Sequence, residues 1–361
     1  MMPPKRFCSA FRHIFLIIIF CFLGGFESNC TKQRNSQAED DKAKIFISGT
    51  NEVRSSSGPS NQKEGVQEEI ENEPAMVEVL RARIGLGPDD IGVITPEEAN
   101  PEGPMSFTVN TEGEIYVLDQ VNSRIQVFKD GERLKTISIP DQVFMDIEWM
   151  PTRRIALLDN LIKKSVYILN EDGSVYEIIS LTGAGVPDPA EITGIYCHSD
   201  KKWAGLWLEL NDRSLRITDL GGNPQPLRTS LPGKLSVSGR RLMKVKIAGQ
   251  RLAIIQVSQE DLRTWRRFRI TFAMPFGYIH GIWDDDQGQI YLAVYLFDEE
   301  TPAEANIAVK LSPRGKELGR IKMFISPMPH EIYHAVRVMP EGEIYQMAME
   351  EGAVVIRRYV F

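Results

Sequence analysis

The chain has 361 residues, 42% of them hydrophobic and 25% charged, which is an ordinary globular composition. Its formal net charge of -7 excludes a protein that holds nucleic acid by bulk electrostatics, because neutralising phosphates needs a basic surface. The length fits either one large all-β domain or two to three smaller ones.

The first residues read as an export signal. Lys5, Arg6 and Arg12 form a positive start, and Ile14 to Phe26 is an unbroken apolar run. That run is about 13 residues long, too short for a comfortable membrane span and right for a signal-peptide core. Residues 1–29 are therefore expected to be a signal peptide, and the mature protein to be periplasmic, on the cell surface or secreted. Leu23-Gly24-Gly25 resembles the start of a lipobox, which makes Cys30 the candidate for lipidation, although Phe26 to Asn29 intervene. A membrane partner is expected only through the signal or such an anchor. Of the four cysteines, Cys8 and Cys21 lie inside the signal, and Cys30 with Cys197 forms neither a disulfide framework nor a C-x-x-C zinc motif. Residues 30–75 are rich in Ser, Asn, Gln, Glu, Lys and Gly, a composition that buries too little apolar area to offset ordering, and they are expected to be a disordered tether.

From residue 76 onward the chain repeats. Gly113-Glu114-Ile115-Tyr116 recurs as Gly288-Gln289-Ile290-Tyr291 and Gly342-Glu343-Ile344-Tyr345. Weaker copies are Arg153-Arg154-Ile155-Ala156, Lys202-Trp203-Ala204-Gly205 and Gly249-Gln250-Arg251-Leu252. The spacing of roughly 40 to 50 residues is that of propeller blades, and period-two alternation dominates over helical periodicity. One blade reads as four strands: Met105 to Val109, the nearly all-apolar Ile115 to Leu118, the alternating Arg124 to Phe128, and Arg133 to Ile139 beyond the Asp130-Gly131 turn. The predicted fold is all-β, a six-bladed propeller of four-stranded antiparallel blades. Only three strands remain for the last blade, and Met76 to Ile84 alternates well enough to supply the fourth, so that the ring closes without an open edge.

Pro104 to Asn110, Gly113-Glu114-Ile115-Tyr116-Val117-Leu118-Asp119 and Asn122-Ser123-Arg124-Ile125-Gln126-Val127-Phe128 together resemble an NHL repeat. The resemblance is strong over this blade and weak elsewhere; the second keeps Ile155 to Asp159 and Val166 to Leu169 but has Lys163-Lys164 near the place of Asn-x-Arg. The resemblance implies that Asp119, Asp159 and Asn122 are structural turn residues, with the aspartate bonding the turn that follows it. It also implies a choice of function. Some six-bladed propellers are metal-dependent lactonases or amidating lyases with Glu, Asn, Asp or His ligands about the axis, a constellation not found in this sequence. NHL propellers more often present a flat face to a peptide, protein or nucleic acid.

The candidate site residues lie at the mouth of the tunnel. His280 and His334 each precede an inner strand, where imidazole can ligate metal or shuttle protons. Two histidines make no metal site by themselves, so no metal and no cofactor is assigned. The Gly- and Pro-rich loop from Gly85 to Pro104 carries Asp89, Asp90, Glu97 and Glu98, lacks calcium-loop spacing, and is long enough to be functional. Blade four gathers Arg240, Arg241, Lys244, Lys246, Arg251, Arg263, Arg266, Arg267 and Arg269 around Trp265, a polyanion or acidic-partner surface if they cluster in space. The leading expectation is a non-catalytic binding or scaffold propeller that engages a protein, peptide or glycan ligand, not nucleic acid, on its loop-bearing face. The alternative is a metal-dependent hydrolase or lyase at the axial mouth.

Overall fold

A computed structural model describes residues 75–97, 101–183, 185–327 and 330–361. The expected signal peptide, nearly all of the tether, Cys30 and Glu98 lie outside the described residues. What is described is a six-bladed propeller of four-stranded antiparallel sheets. Blade one holds β2 (Phe107–Val109), β3 (Ile115–Asp119), β4 (Arg124–Lys129) and β5 (Glu132–Ser138). Blade two holds β6 (Asp146–Met150), β7 (Arg154–Asp159), β8 (Ser165–Asn170) and β9 (Val175–Ser180). Blade three holds β10 (Ile192–His198), β11 (Gly205–Leu210), β12 (Ser214–Thr218) and β13 (Pro224–Leu231). Blade four holds β14 (Lys234–Leu235), β15 (Leu242–Gly249), β16 (Leu252–Ser258) and β17 (Trp265–Thr271). Blade five holds β18 (Phe276–Asp284), β19 (Ile290–Asp298), β20 (Ala303–Leu311) and β21 (Glu317–Met323).

Blade six closes the ring with both ends of the described chain. Its order is β22 (Val336–Val338), β23 (Ile344–Glu350), β24 (Ala353–Val360) and then β1 (Ala75–Arg83). The pairing runs from Ala75 opposite Val360 to Arg83 opposite Ala353, with a bulge between Glu78 and Leu80. Leu80 and Ala82 are buried against Ile356, Val354 and the first blade, which is the apolar half of the alternation seen in the sequence.

The local chemistry accounts for the blades. The second strands are apolar throughout because a neighbouring blade covers each face: β3 and β7 are buried over nearly their whole length. The repeated glycine before them has φ of 77°, 73° and 88° at Gly113, Gly288 and Gly342, a conformation that an L side chain resists. Apolar clusters fill the seams between successive blades, such as Tyr116, Ile125, Phe144 and Ile147 between blades one and two. The seam between blades three and four differs, with a small, aromatic cluster built on Tyr196, Trp207, Leu235 and Leu242.

Blade four corrects the repeat alignment. Gly249-Gln250-Arg251-Leu252 lies at the hairpin between the second and third strands, not before the second. The true second strand, β15, alternates Met243, Val245 and Ile247 with Lys244 and Lys246, so it reads as a half-exposed strand instead of the usual apolar run.

Candidate functional site

Every inner strand enters from the face that carries the outer-to-inner links. On that face the start of β6 buries a carboxylate, Asp146, with no exposed side-chain surface. It accepts hydrogen bonds from Ser106 Oγ at 2.6 Å, from Arg337 Nη2 at 2.7 Å and from the backbone N–H groups of Ile147 and Ile195, each at 2.9 Å. His334 Nδ1 lies 2.9 Å from the same carboxylate. These partners belong to blades one, two, three and six, so one buried anion ties four blades together. Burial alone would raise its pKa, but the charges of His334 and Arg337 and the Ser106 hydroxyl outweigh burial and hold it well below the usual carboxylate range.

Arg337 is the matching cation. Besides Asp146 its guanidinium donates to Phe107 O at 3.0 Å, Ser106 Oγ at 3.2 Å and Ile147 O at 3.0 Å. Its other arm lies 3.7 Å from Glu148 Oε2, the next inward-facing carboxylate on β6. Glu148 accepts the Cys197 N–H at 3.2 Å. Burial pushes its pKa up to about 7, with Arg337 and Lys234 only partly opposing and Asp146 adding to the rise. Burial likewise keeps the Cys197 thiol protonated.

A strap crosses the mouth above these groups. The link from β21 to β22 lays Tyr333 and His334 over the opening, with both backbone N–H groups donating to Met105 O, at 2.7 and 3.0 Å. The Tyr333 hydroxyl donates to Ile192 O on blade three, and Asn160 Nδ2 donates to the same carbonyl at 3.1 Å. Tyr333 packs on the apolar seams on both sides of blade two. The His334 ring rests on Gly194, where an added Cβ would lie 2.4 Å from its Cε1. The strap comes from blade six, and the end of the Gly85 to Pro104 loop runs beside it: the Glu331 N–H donates to Pro101 O at 3.1 Å, and Glu102 bridges Glu331.

His334 precedes β22 as expected, but His280 does not precede its inner strand. It lies within β18, which begins four residues earlier at Phe276, and in a different environment. Its Nε2 donates to Asn306 Oδ1 at 3.0 Å, and Tyr278 stacks edge-on at 4.8 Å. Burial pushes its pKa down to about 4, and the charge of His334 is near enough to lower it further. It is neutral under ordinary conditions. The two histidines thus feel one another electrostatically but share no ligand geometry, and no group of three or more metal-binding side chains occurs among the described residues.

The loop carboxylates are drawn to the rim. Asp90 accepts from Arg83 Nε at 2.8 Å and from the Gly87 N–H at 2.9 Å, contacts that lower its pKa, the arginine first. Asp89 pairs with Arg133 on the outer strand of blade one. Glu97 is exposed. None of these three contacts His280 or His334. Asp119 and Asp159 hold equivalent places and do different work. Asp159 accepts the N–H groups of Leu161, Ile162 and Lys163 in the turn that follows it. Asp119 instead reaches the long loop: it accepts the Gly92 N–H at 2.8 Å, Asn122 Nδ2 at 2.9 Å and Arg124 Nε at 2.8 Å. Asn122, Arg124 and Gln126 then donate to the loop carbonyls of Gly85, Gly87, Asp90 and Pro88. The most repeat-like blade therefore uses its motif to brace the loop.

Sequence reasoning missed Asp146, Glu148 and Arg337. The available signal was a charged residue inside an otherwise apolar inner strand, as in Asp146-Ile147-Glu148 and Val336-Arg337-Val338.

No protein-family model and no curated protein matches the chain. Among solved structures it is similar to virginiamycin B lyase from Staphylococcus aureus, at 11% identity over 74% of this chain and 98% of that one, with a TM-score of 0.39. It is also similar to a luciferin-regenerating enzyme, at 13% identity over 72% of this chain and 91% of that one, TM-score 0.44. A third is a putative 6-phosphogluconolactonase from Bacteroides uniformis ATCC 8492, at 14% identity over 72% and 84%, TM-score 0.42. At this identity and overlap the likeness is one of architecture alone.

Proposed function

We propose that this chain is an exported, NHL-type binding propeller that engages a protein, peptide or glycan on its loop-bearing face without chemical change to the ligand. The observation that carries the reading is the bracing of the long loop. Asp119, Asn122, Arg124 and Gln126 hold its backbone, while Leu86 and Ile94 remain 79% and 46% exposed on it. A pre-ordered loop with outward apolar side chains loses little entropy on binding, as a recognition surface requires. At the axis, by contrast, Asp146 and Arg337 are engaged by one another, by Ser106 and by backbone groups of blades one to three.

The test is an array of peptides and glycans probed with the full protein and with a Leu86→Asp, Ile94→Asp double variant. The expected result is a ligand set whose affinity falls at least about tenfold in the variant, an effect of the size lost with central contacts, while the thermal midpoint holds. Equal binding by the variant, or mass-spectrometric conversion of a bound ligand, overturns the proposal. A second reading, acid–base chemistry at the axis, is favoured by one observation, the rise of Glu148 to about 7. It requires turnover that disappears in Glu148→Gln.

A further inference from the structure

We propose that β17, the outer strand of blade four, docks an extended acidic peptide segment of a partner protein, which adds to the sheet as a fifth strand. The surface is separate from the loop-bearing face. Register places Lys244, Gln256 and Arg267 in one cross-strand row and Lys246, Ile254 and Arg269 in the next. Residues directly opposite one another, and alternate residues along a strand, share a face. Lys244, Lys246, Arg267 and Arg269 therefore lie together on one face of blade four. Lys246, Arg267 and Arg269 are exposed there, and Arg266 is exposed on the other face. Lys244 lies 4.8 Å over the Trp265 ring. Among the described residues none of these cations reaches a carboxylate within salt-bridge distance; Asp284 and Asp298 engage Arg241 and Arg251 instead. Asp261, which lines a pocket with Arg266 and Glu260, caps the hairpin before β17 by accepting from the Arg263 and Thr264 N–H groups.

The other five outer strands differ. On β5, Arg133 and Lys135 are paired with Asp89 and Glu171. On β21, Arg320 is paired with Glu317, and on β1, Arg81 is paired with Glu78. Strand β13 carries Pro224 and Pro226, and β9 carries Glu177 and no cation. Among the described outer strands only β17 combines three arginines with no acidic residue and no proline. No further described strand pairs with its outer edge, where Arg320 of β21 takes one acceptor, Thr271 O, at the strand's end. Cations on an edge ordinarily keep copies of a protein from pairing. The same row attracts a strand whose carboxylates recur at every second position, because same-face residues of both strands then repeat about every 7 Å and stand opposite one another. Edge addition supplies affinity through backbone hydrogen bonds and specificity through the alternating side chains.

The probe is a fluorescent peptide, Thr-Glu-Val-Glu-Val-Glu-Thr with blocked ends, titrated against the full-length protein and followed by anisotropy. Three comparisons accompany it: the same peptide N-methylated on alternate residues, the Arg267→Glu, Arg269→Glu protein, and the Leu86→Asp, Ile94→Asp protein. The expected result is saturable binding that weakens at least about tenfold on charge reversal, is lost on N-methylation, and is unchanged in the loop variant. A far-UV spectrum and melting curve of the charge-reversed protein identify any loss that comes from unfolding; if it unfolds, Arg269→Gln alone takes its place and is expected to weaken binding about threefold. Equal binding by the reversed or neutralised protein overturns the proposal, as does equal binding of the N-methylated peptide, which would mean charge attraction without strand addition. Loss of binding in the loop variant also overturns it, whereas failure here leaves the loop-face reading standing.

Discussion

Replacing Glu148 by Gln isolates the cost of burying that carboxylate. Its pKa is raised from 4.5 to about 7, with burial the largest cause. A group raised in the folded state holds its proton more tightly there than in the unfolded chain, so its ionisation disfavours folding. That cost is absent below the unfolded value, grows as pH rises from about 4.5, and is complete above about 7. Each tenfold change in proton affinity is worth about 1.4 kcal/mol, which sets an upper bound of about 3.5 kcal/mol. The side chain keeps 16% of its exposure, so tunnel water reduces the figure, and about 1–2 kcal/mol is expected. Glutamine preserves the acceptor for the Cys197 N–H, and Arg337 keeps Asp146 as its counter-charge. Urea unfolding of both proteins at pH 5, 6, 7 and 8 measures the effect. The curves should coincide near pH 5, allowing a constant offset, and diverge in favour of the variant by pH 8. A constant difference across the series refutes the reasoning, because Glu148 would then titrate alike in both states.

Asp146→Ala should destabilise by about 3–5 kcal/mol, since it leaves Arg337 buried without its partner, and unfolding in urea at pH 7 measures it; a loss below about 1 kcal/mol would mean the four-blade tie is dispensable. The sign with pH is opposite to that of Glu148: the Asp146 carboxylate is held low, so its contribution is present above about 4 and is lost as pH falls through the folded value. Acid titration of the wild type should accordingly expose a loss of stability below about pH 4 that Asp146→Ala lacks. Gly194→Ala puts a methyl group 2.4 Å from His334 Cε1, which should displace the strap and cost about 1–3 kcal/mol, while Gly194→Ala combined with His334→Ala should recover most of it. Deleting residues 75–83 strips β24 of its outer partner and uncovers Ile356 and Val354, so the truncated protein should aggregate in light scattering, and a monomer with unchanged melting would contradict the closure.

The blades and their closure were legible in the sequence because their causes are local. Gly113, Gly288 and Gly342 mark turns that need positive φ, strands such as Ile115–Asp119 are apolar because both faces are covered, and the alternation of β1 is visible without a partner. Blade four was misaligned for the same reason: Lys244 and Lys246 disguise a second strand, and a glycine before an apolar residue suits any hairpin. The roles of single side chains depended on the closed ring. Asp119 and Asp159 are indistinguishable along the chain, yet one binds its own turn and the other a loop that begins 34 residues earlier, at Gly85, as the sequence numbering counts it. Asp146 and Arg337 are 191 residues apart, and nothing in their flanking sequence names the partner. They meet only because six rigid sheets close a circle and bring the first residues of the inner strands to one axis. Sequence by itself determined the repeating unit, which follows from hydrophobic period and turn chemistry. Tertiary closure alone decided the charges at the centre, since a buried carboxylate acquires its partners from whichever blades the ring sets beside it.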